Sequence, residues 1–130
     1  MACIPIYPPR GLEILKDHIK QARARREVQN MATPLTYIWF YQRVRNRGPW
    51  DYKQKNKAWE NYGNFHYGAV GYAAGIPAEI LHTAAGAAQG VAKTSEPAWG
   101  NFLQGPPFGD DPHDQFWIKQ GIDYVKQHHL

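Results

Sequence analysis

Apolar side chains recur at helical spacing through most of the chain. In Gly11–Glu27, Leu12, Leu15, Ile19 and Ala22 fall on one side while Lys16, Lys20, Arg23 and Arg26 occupy the others, as in an amphipathic helix with a basic outside. Thr33-Pro34 then offers a capping hydroxyl followed by a proline suited to a first turn. The run Leu35–Asn46 carries Ile38, Trp39, Phe40, Tyr41 and Val44; apolar on most sides, it is expected to be the central buried helix, ended by Gly48-Pro49. Lys53–Tyr62 is polar and suits a short helix at most. Gly63–Gly75 reads GNFHYGAVGYAAG. Glycine costs a helix roughly 1 kcal/mol against alanine. Yet Gly68, Ala69, Gly71, Ala73 and Gly75 would present a smooth surface that lets another backbone come close.

Ile76-Pro77 opens a further helix, Ala78–Lys93, with Ile80, Leu81, Ala84, Ala88 and Val91 on one side. His82 and Gln89 share a face of it, a weak sign of a cleft. Thr94–Gly109 holds three prolines and three glycines and reads as a long loop, a feature often functional in a small domain. Asp110-Asp111-Pro112-His113-Asp114 then has the acids and the proline of a helix start. Phe116, Ile118, Ile122 and Val125 follow as the apolar side, and Lys126, His128 and His129 lie near the end, where cations suit the helix dipole.

No convincing alternating β segment and no solenoid repeat is found. The pattern predicts an all-α, compact single domain of five to six helices, with a long Pro/Gly-rich loop before the last helix and room for a small β-hairpin near Trp50–Tyr67. Residues 1–10 read as a proline-rich leader or linker and residues 11–130 as the domain. MACIPIYPP lacks the basic flank and apolar core of a signal peptide. As a linker it would make the chain the excised end of something longer; an ordinary N-terminal arm packed on the surface is the alternative.

Composition narrows the function classes. With 43% hydrophobic and 20% charged residues, the 130-residue chain is neither a disordered tail nor a low-complexity segment. No apolar run approaches the roughly 18–20 residues of a membrane span. Cys3 is the one cysteine, which excludes an internal disulfide framework and any multi-thiolate zinc site. Charge is divided: Arg10–Lys57 balances at +8 and Ala58–Leu130 at −4, within a net +4. A positive face is the footprint of a phosphate-backbone binder, although a solvated basic helix face gives the same signal. Arg43, Arg45 and Arg47 beside Trp50 and Tyr52 make a sharper patch, because aromatics next to arginines can stack bases.

There is no phosphate-binding glycine loop, dinucleotide fingerprint, His-Glu-x-x-His pair or serine elbow. Ser95 is the lone serine and Cys3 lies in the leader, so acid–base chemistry from His, Asp, Glu and Lys remains. Three clusters can carry it. Asp51 and Lys53 flank Tyr52 in a turn and could polarise a substrate, or Asp51 simply caps a helix. Glu60 through His66 brings a carboxylate, the Asn64 amide and an imidazole beside glycines, with Tyr67 next to them. His66 titrates near neutral pH and could act as base or acid, with Glu60 orienting it or serving as the second group; as plain structure, His66 is packed and Asn61 or Asn64 is a cap. Asp110, Asp111 and Asp114 could hold Mg²⁺, or are the acids of a helix N-terminus. No other cofactor is expected.

The stretches WFYQRVRNRGPWDYKQ (Trp39–Gln54), YGNFHYGAVGYAAGIP (Tyr62–Pro77) and FGDDPHDQFWIKQGIDY (Phe108–Tyr124) resemble the bacterial polymorphic-toxin domain called toxin 44. Three separated motifs in order cover nearly all the chain beyond the leader. The resemblance implies the C-terminal toxin domain of a large secreted protein of the Rhs type or of a type VI secretion effector. Such a domain is antibacterial, is delivered into a competitor, and is neutralised in the producer by a cognate immunity protein. It also implies a nuclease acting on RNA. One departure is His66, where asparagine is expected in many relatives; members working with asparagine would move the burden to Asp51, Lys53, Glu60 and the Asp110–Asp114 group.

Two enzymatic readings stay open beside a non-enzymatic binding module. A ribonuclease in the target cytoplasm would draw proton transfer from Glu60 or His66 and charge from Lys53 or an arginine of 43–47, with Trp50, Tyr52, Asn64, Tyr67, Arg45 and Arg47 binding substrate. A peptidoglycan hydrolase in the target periplasm would use Glu60 as general acid with an aspartate opposite, and stack sugars on Trp50, Trp59 and Tyr62.

Overall fold

The computed structural model describes residues 3–5, 8–27, 33–45, 49–52, 59–92, 112–128 and 130. Among them are five helices and no strand: α1 (Gly11–Glu27), α2 (Pro34–Val44), α3 (Glu60–Ala73), α4 (Ala78–Ala92) and α5 (Pro112–Gln127). The all-α expectation holds. The room left for a hairpin is filled by helix from Glu60 onward, and the long loop of 94–109 lies outside the described residues.

α1 forms where its stripe predicts. Leu15, Ile19 and Ala22 are buried on one side, while Lys16 and Lys20 stay in water; Leu12, expected on the same side, is exposed in the first turn, where no element among the described residues covers it. α2 starts at a Thr33–Thr36 capping box, in which the Thr33 hydroxyl accepts from the Thr36 amide and the Thr36 hydroxyl accepts from the Thr33 amide. α2 is not the central helix, however. It buries only Thr36, Trp39 and Phe40, and leaves Leu35 71%, Ile38 54% and Tyr41 66% exposed. Its aromatic content is high, but a single stripe of it reaches the core.

The centre belongs to α3, which is buried on nearly every side from Tyr62 to Ala73. Glycine makes this position available. A Cβ on Gly68 would overlap the backbone carbonyl of Ile118 in α5, and a Cβ on Gly121 would overlap the Phe65 carbonyl in α3. The two helices therefore meet backbone against backbone, with Phe65, Ala69, Ile118, Ile122 and Val125 packed around the crossing. The helix-propensity cost of these glycines is offset by the contact they permit.

α3 ends in a Schellman turn. Gly75, at φ 93°, donates to the Tyr72 carbonyl, and Ile76 donates to the Gly71 carbonyl. This turn delivers Pro77 and α4, whose buried line runs through Leu81 and Ala85 while Ile80 and Ala84 face out. The stripe is thus rotated from the expected one. Leu81 is drawn in because its side chain fills the space over Gly71 and its carbonyl accepts from the Tyr67 hydroxyl. Ala88 and Val91 have side chains outside the described residues. On α5, Phe116, which its spacing places on the apolar side, is exposed, while Tyr124, outside that stripe, is buried in the core. In the leader, Pro5 and Pro8 are buried and the Cys3 amide donates to Gln120 Oε1 at 2.8 Å. No helix among the described residues is long and apolar enough to cross a membrane.

The crossing gives a prediction of opposite sign to helix propensity. Gly121→Ala and Gly68→Ala should each lower the stability measured by thermal or denaturant unfolding, by about 1–3 kcal/mol or more, because the added carbon meets fixed backbone. A stabilisation of about 1 kcal/mol, the propensity gain, would contradict the packing.

Candidate functional site

His66 lies on α3 facing α1, fully buried. There its Nε2 meets Nδ1 of His18, a half-buried residue of α1, at 2.7 Å. One ring donates and the other accepts, according to tautomer. Trp50 covers the pair: its ring stacks on His18 with centroids 3.8 Å apart and planes 18° off parallel, and presents an edge to His66 at 5.5 Å. Tyr52 meets His66 edge-on at 5.0 Å, and Tyr62 sits tilted to it at 6.0 Å. The box is tied to the backbone at two points. The Trp50 amide donates to the Arg43 carbonyl at 2.8 Å, and the Tyr62 hydroxyl donates to the Gly11 carbonyl at 2.7 Å. Burial pushes the Tyr52 phenol above its ordinary pKa of 10.0, since desolvation penalises the phenolate.

Cations border the box. The Arg43 guanidinium lies 5.0 Å from the Trp39 ring centre and 5.5 Å from that of Trp50, and Arg25 lies 5.1 Å from Trp39. The opposite face of α1 carries a separate basic groove of about 310 Å³, lined by Lys16, Lys20 and Arg23 over Ile19, Ala24 and Leu130.

A second polar group sits at the α3–α5 crossing. Asn64 Nδ2 donates to Asp114 Oδ1 at 2.9 Å, with both residues buried, and the same amide reaches the Glu60 carbonyl at 3.3 Å. At the surface beside it, His113 Nε2 and Asn61 Oδ1 are 2.9 Å apart. Gln115 Nε2 bonds the His82 carbonyl at 3.2 Å, so His82 marks a helix contact; the Gln89 side chain is outside the described residues.

The expected residues therefore separate into two groups. His66, Trp50 and Tyr52 meet in one box, with Asp51 half-buried in the same turn. Asn64 and Asp114 meet at the crossing, with Glu60 half-buried one turn before Asn64. Tyr67 belongs to neither group: its hydroxyl is spent on the Leu81 carbonyl at 2.7 Å and its ring packs on Phe40. Arg45 is exposed at the end of α2. Lys53, Arg47, Asp110 and Asp111 lie outside the described residues, and with the last two goes the Mg²⁺ set they would form with Asp114. Among the described residues no three His, Cys, Asp or Glu side chains gather as a metal site. His18 was not expected in a site. Its signal was its position on the margin of the Leu15–Ile19–Ala22 stripe, where a polar residue is held against the core.

Residues 57–127, more than half of the chain, match the family model Ntox44, described as bacterial toxin 44. The chain belongs to this family. It is a bacterial toxin domain, and as such it fits a toxin–immunity pair. The matched stretch holds α3, α4 and α5, so it supplies His66, Asn64 and Asp114, while His18, Trp39, Arg43 and Trp50 precede it. No curated protein and no solved structure matches the chain.

The burial of Tyr52 sets a pH dependence. As pH rises past 10 the unfolded chain releases this proton before the folded one does, so the stabilisation present below that pH drains away as pH climbs through the folded value. The thermal midpoint should fall above about pH 10, and fall less steeply in Tyr52→Phe. Parallel slopes would contradict a buried phenol.

Proposed function

We propose that this toxin domain is a ribonuclease in which His18 is the general base and His66 positions it. The observation that supports this reading is the His18–His66 bond of 2.7 Å, made by a half-buried and a fully buried imidazole with Arg43 close by. A proton-transfer group near the surface, oriented by a buried second group, is the arrangement general-base catalysis needs. Imidazole titrates in the range where such a base works. In the reaction, His18 takes the proton of the ribose 2′-hydroxyl. The 2′ oxygen bonds to phosphorus, the bond from phosphorus to the 5′ oxygen breaks, and that oxygen leaves with a proton from solvent. The products are a 2′,3′-cyclic phosphate and a 5′-hydroxyl. Arg43 supplies charge to the phosphate as negative charge builds on it. The basic half of the chain is the half that faces the polyanion.

Because residue 66 is wholly buried, it acts through His18 and not on the substrate. An asparagine at this position in relatives would alter the support of the base without removing the base. On this reading the domain is delivered to the target cytoplasm as the C-terminal part of a larger secreted protein, and a cognate immunity protein protects the producer.

The peptidoglycan hydrolase keeps one specific support: a buried carboxylate, Asp114, is held by the Asn64 amide at 2.9 Å, one turn of α3 after Glu60. Compartment separates the two readings. The ribonuclease reading expects toxicity when the domain is expressed without a signal peptide, and degradation of total RNA by the purified domain. His18→Asn should lower that cleavage by about 10²–10⁴-fold. His66→Leu should lower it too, whereas His66→Gln, whose amide reaches toward the position of Nε2, should restore much of it. Intact RNA at high enzyme, with toxicity only on export to the periplasm, would overturn the ribonuclease and favour the hydrolase.

A further inference from the structure

Trp39 is buried, yet two guanidinium groups lie against its ring, Arg25 at 5.1 Å and Arg43 at 5.0 Å from its centre. They reach it from different helices, α1 and α2. Neither has a carboxylate partner among the described residues; the one hydrogen bond between them is the 3.4 Å contact from Arg43 Nη1 to the Trp39 carbonyl. A guanidinium held over an aromatic ring is attracted by the ring's charge distribution without spending its N–H donors on a carboxylate, and those donors suit the oxygens of a phosphate. The ring thus holds two cations in place, and apart from the Arg43 Nη1 contact to the Trp39 carbonyl their donors are left to a ligand. Arg25 lies seven residues from His18, two turns along the same face of α1 or about 10 Å. Trp50 links the two places, since it stacks on His18 and lies under Arg43.

We infer that Arg25, held on Trp39 beside Arg43, forms a phosphate-binding subsite that takes a backbone phosphate flanking the one attacked beside His18, where Arg43 supplies charge. The ligand class is single-stranded RNA, and in this respect the inference rests on the ribonuclease reading. A strand lying from Trp39 toward Trp50 would be gripped at two phosphates and fixed in register over the imidazole pair. Arg25 is a binding residue here and takes no part in proton transfer.

The test uses a fluorescein-labelled 2′-deoxy oligonucleotide, which lacks the attacking hydroxyl and so stays intact. Its affinity for the whole domain is measured by anisotropy over a range of salt concentrations. Arg25→Gln and Arg43→Gln should each weaken binding several-fold and reduce the slope of log affinity against log salt by about one, the signature of one lost phosphate contact. Arg25→Lys should recover the slope, and Lys20→Gln, on the other face of α1, should leave Arg25-dependent binding in place. A purely structural pair of arginines would shift the thermal midpoint of Arg25→Gln and leave the slope alone; that result, or no binding by the parent domain, overturns the subsite. Arg25-dependent binding with RNA left uncut would sustain the subsite and reject the ribonuclease. Cleaved RNA with a slope indifferent to Arg25 would do the reverse.

Discussion

Where α3 crosses α5, the carbonyls of Phe65 and Ile118 occupy the space that a side chain on Gly121 or Gly68 would need. This contact draws α3 into the middle of the molecule and surrounds it with protein. Polar groups on α3 are carried inside with it. A buried polar group without a partner costs about 1–3 kcal/mol, so each must be answered from a neighbouring helix. Asn64 is answered by Asp114 on α5 and His66 by His18 on α1. The imidazole pair and the amide–carboxylate pair are thus two consequences of one packing decision, made by glycine.

Much of this frame was legible along the chain. The limits of α1 follow from its stripe, the start of α2 from Thr33-Pro34, and the start of α5 near Pro112 from its acids and proline. The glycines of Gly63–Gly75 signalled close approach of another backbone; Gly68 serves it, while Gly71 makes room for the Leu81 and Phe40 side chains instead. What failed was the ranking of helices by apolar content. α2 is rich in Ile, Trp, Phe and Tyr but turns Leu35, Ile38 and Tyr41 outward, because a helix with apolar residues all round does not say which of them finds a neighbour. α3, with its small residues, was the helix that others could approach. His18 was missed for a related reason: its partner is 48 residues away, and no local pattern encodes that meeting. The same holds for Arg25 and Trp39, which meet across two helices.

The two halves of the chain contribute unequally. The stretch matching the toxin family contains the central helix and its crossing, and brings His66 and the Asn64–Asp114 pair. The basic N-terminal part brings the half-buried imidazole, the arginines and the tryptophans that hold them. The charge division read from the sequence, +8 against −4, falls close to where the family match begins at residue 57. On the ribonuclease reading, the basic portion forms the face that a polyanion would meet, and the family portion packs beneath it.

The shared proton of the two imidazoles is the most direct point of attack on this account. Two-dimensional ¹H–¹⁵N NMR of the histidine side chains, recorded on the whole domain near neutral pH, would reveal it. A slowly exchanging, strongly downfield N–H connecting His18 Nδ1 and His66 Nε2 is the expected result. Two rings that titrate independently, with no protected proton between them, would contradict the coupling of surface and core on which the functional reading is built.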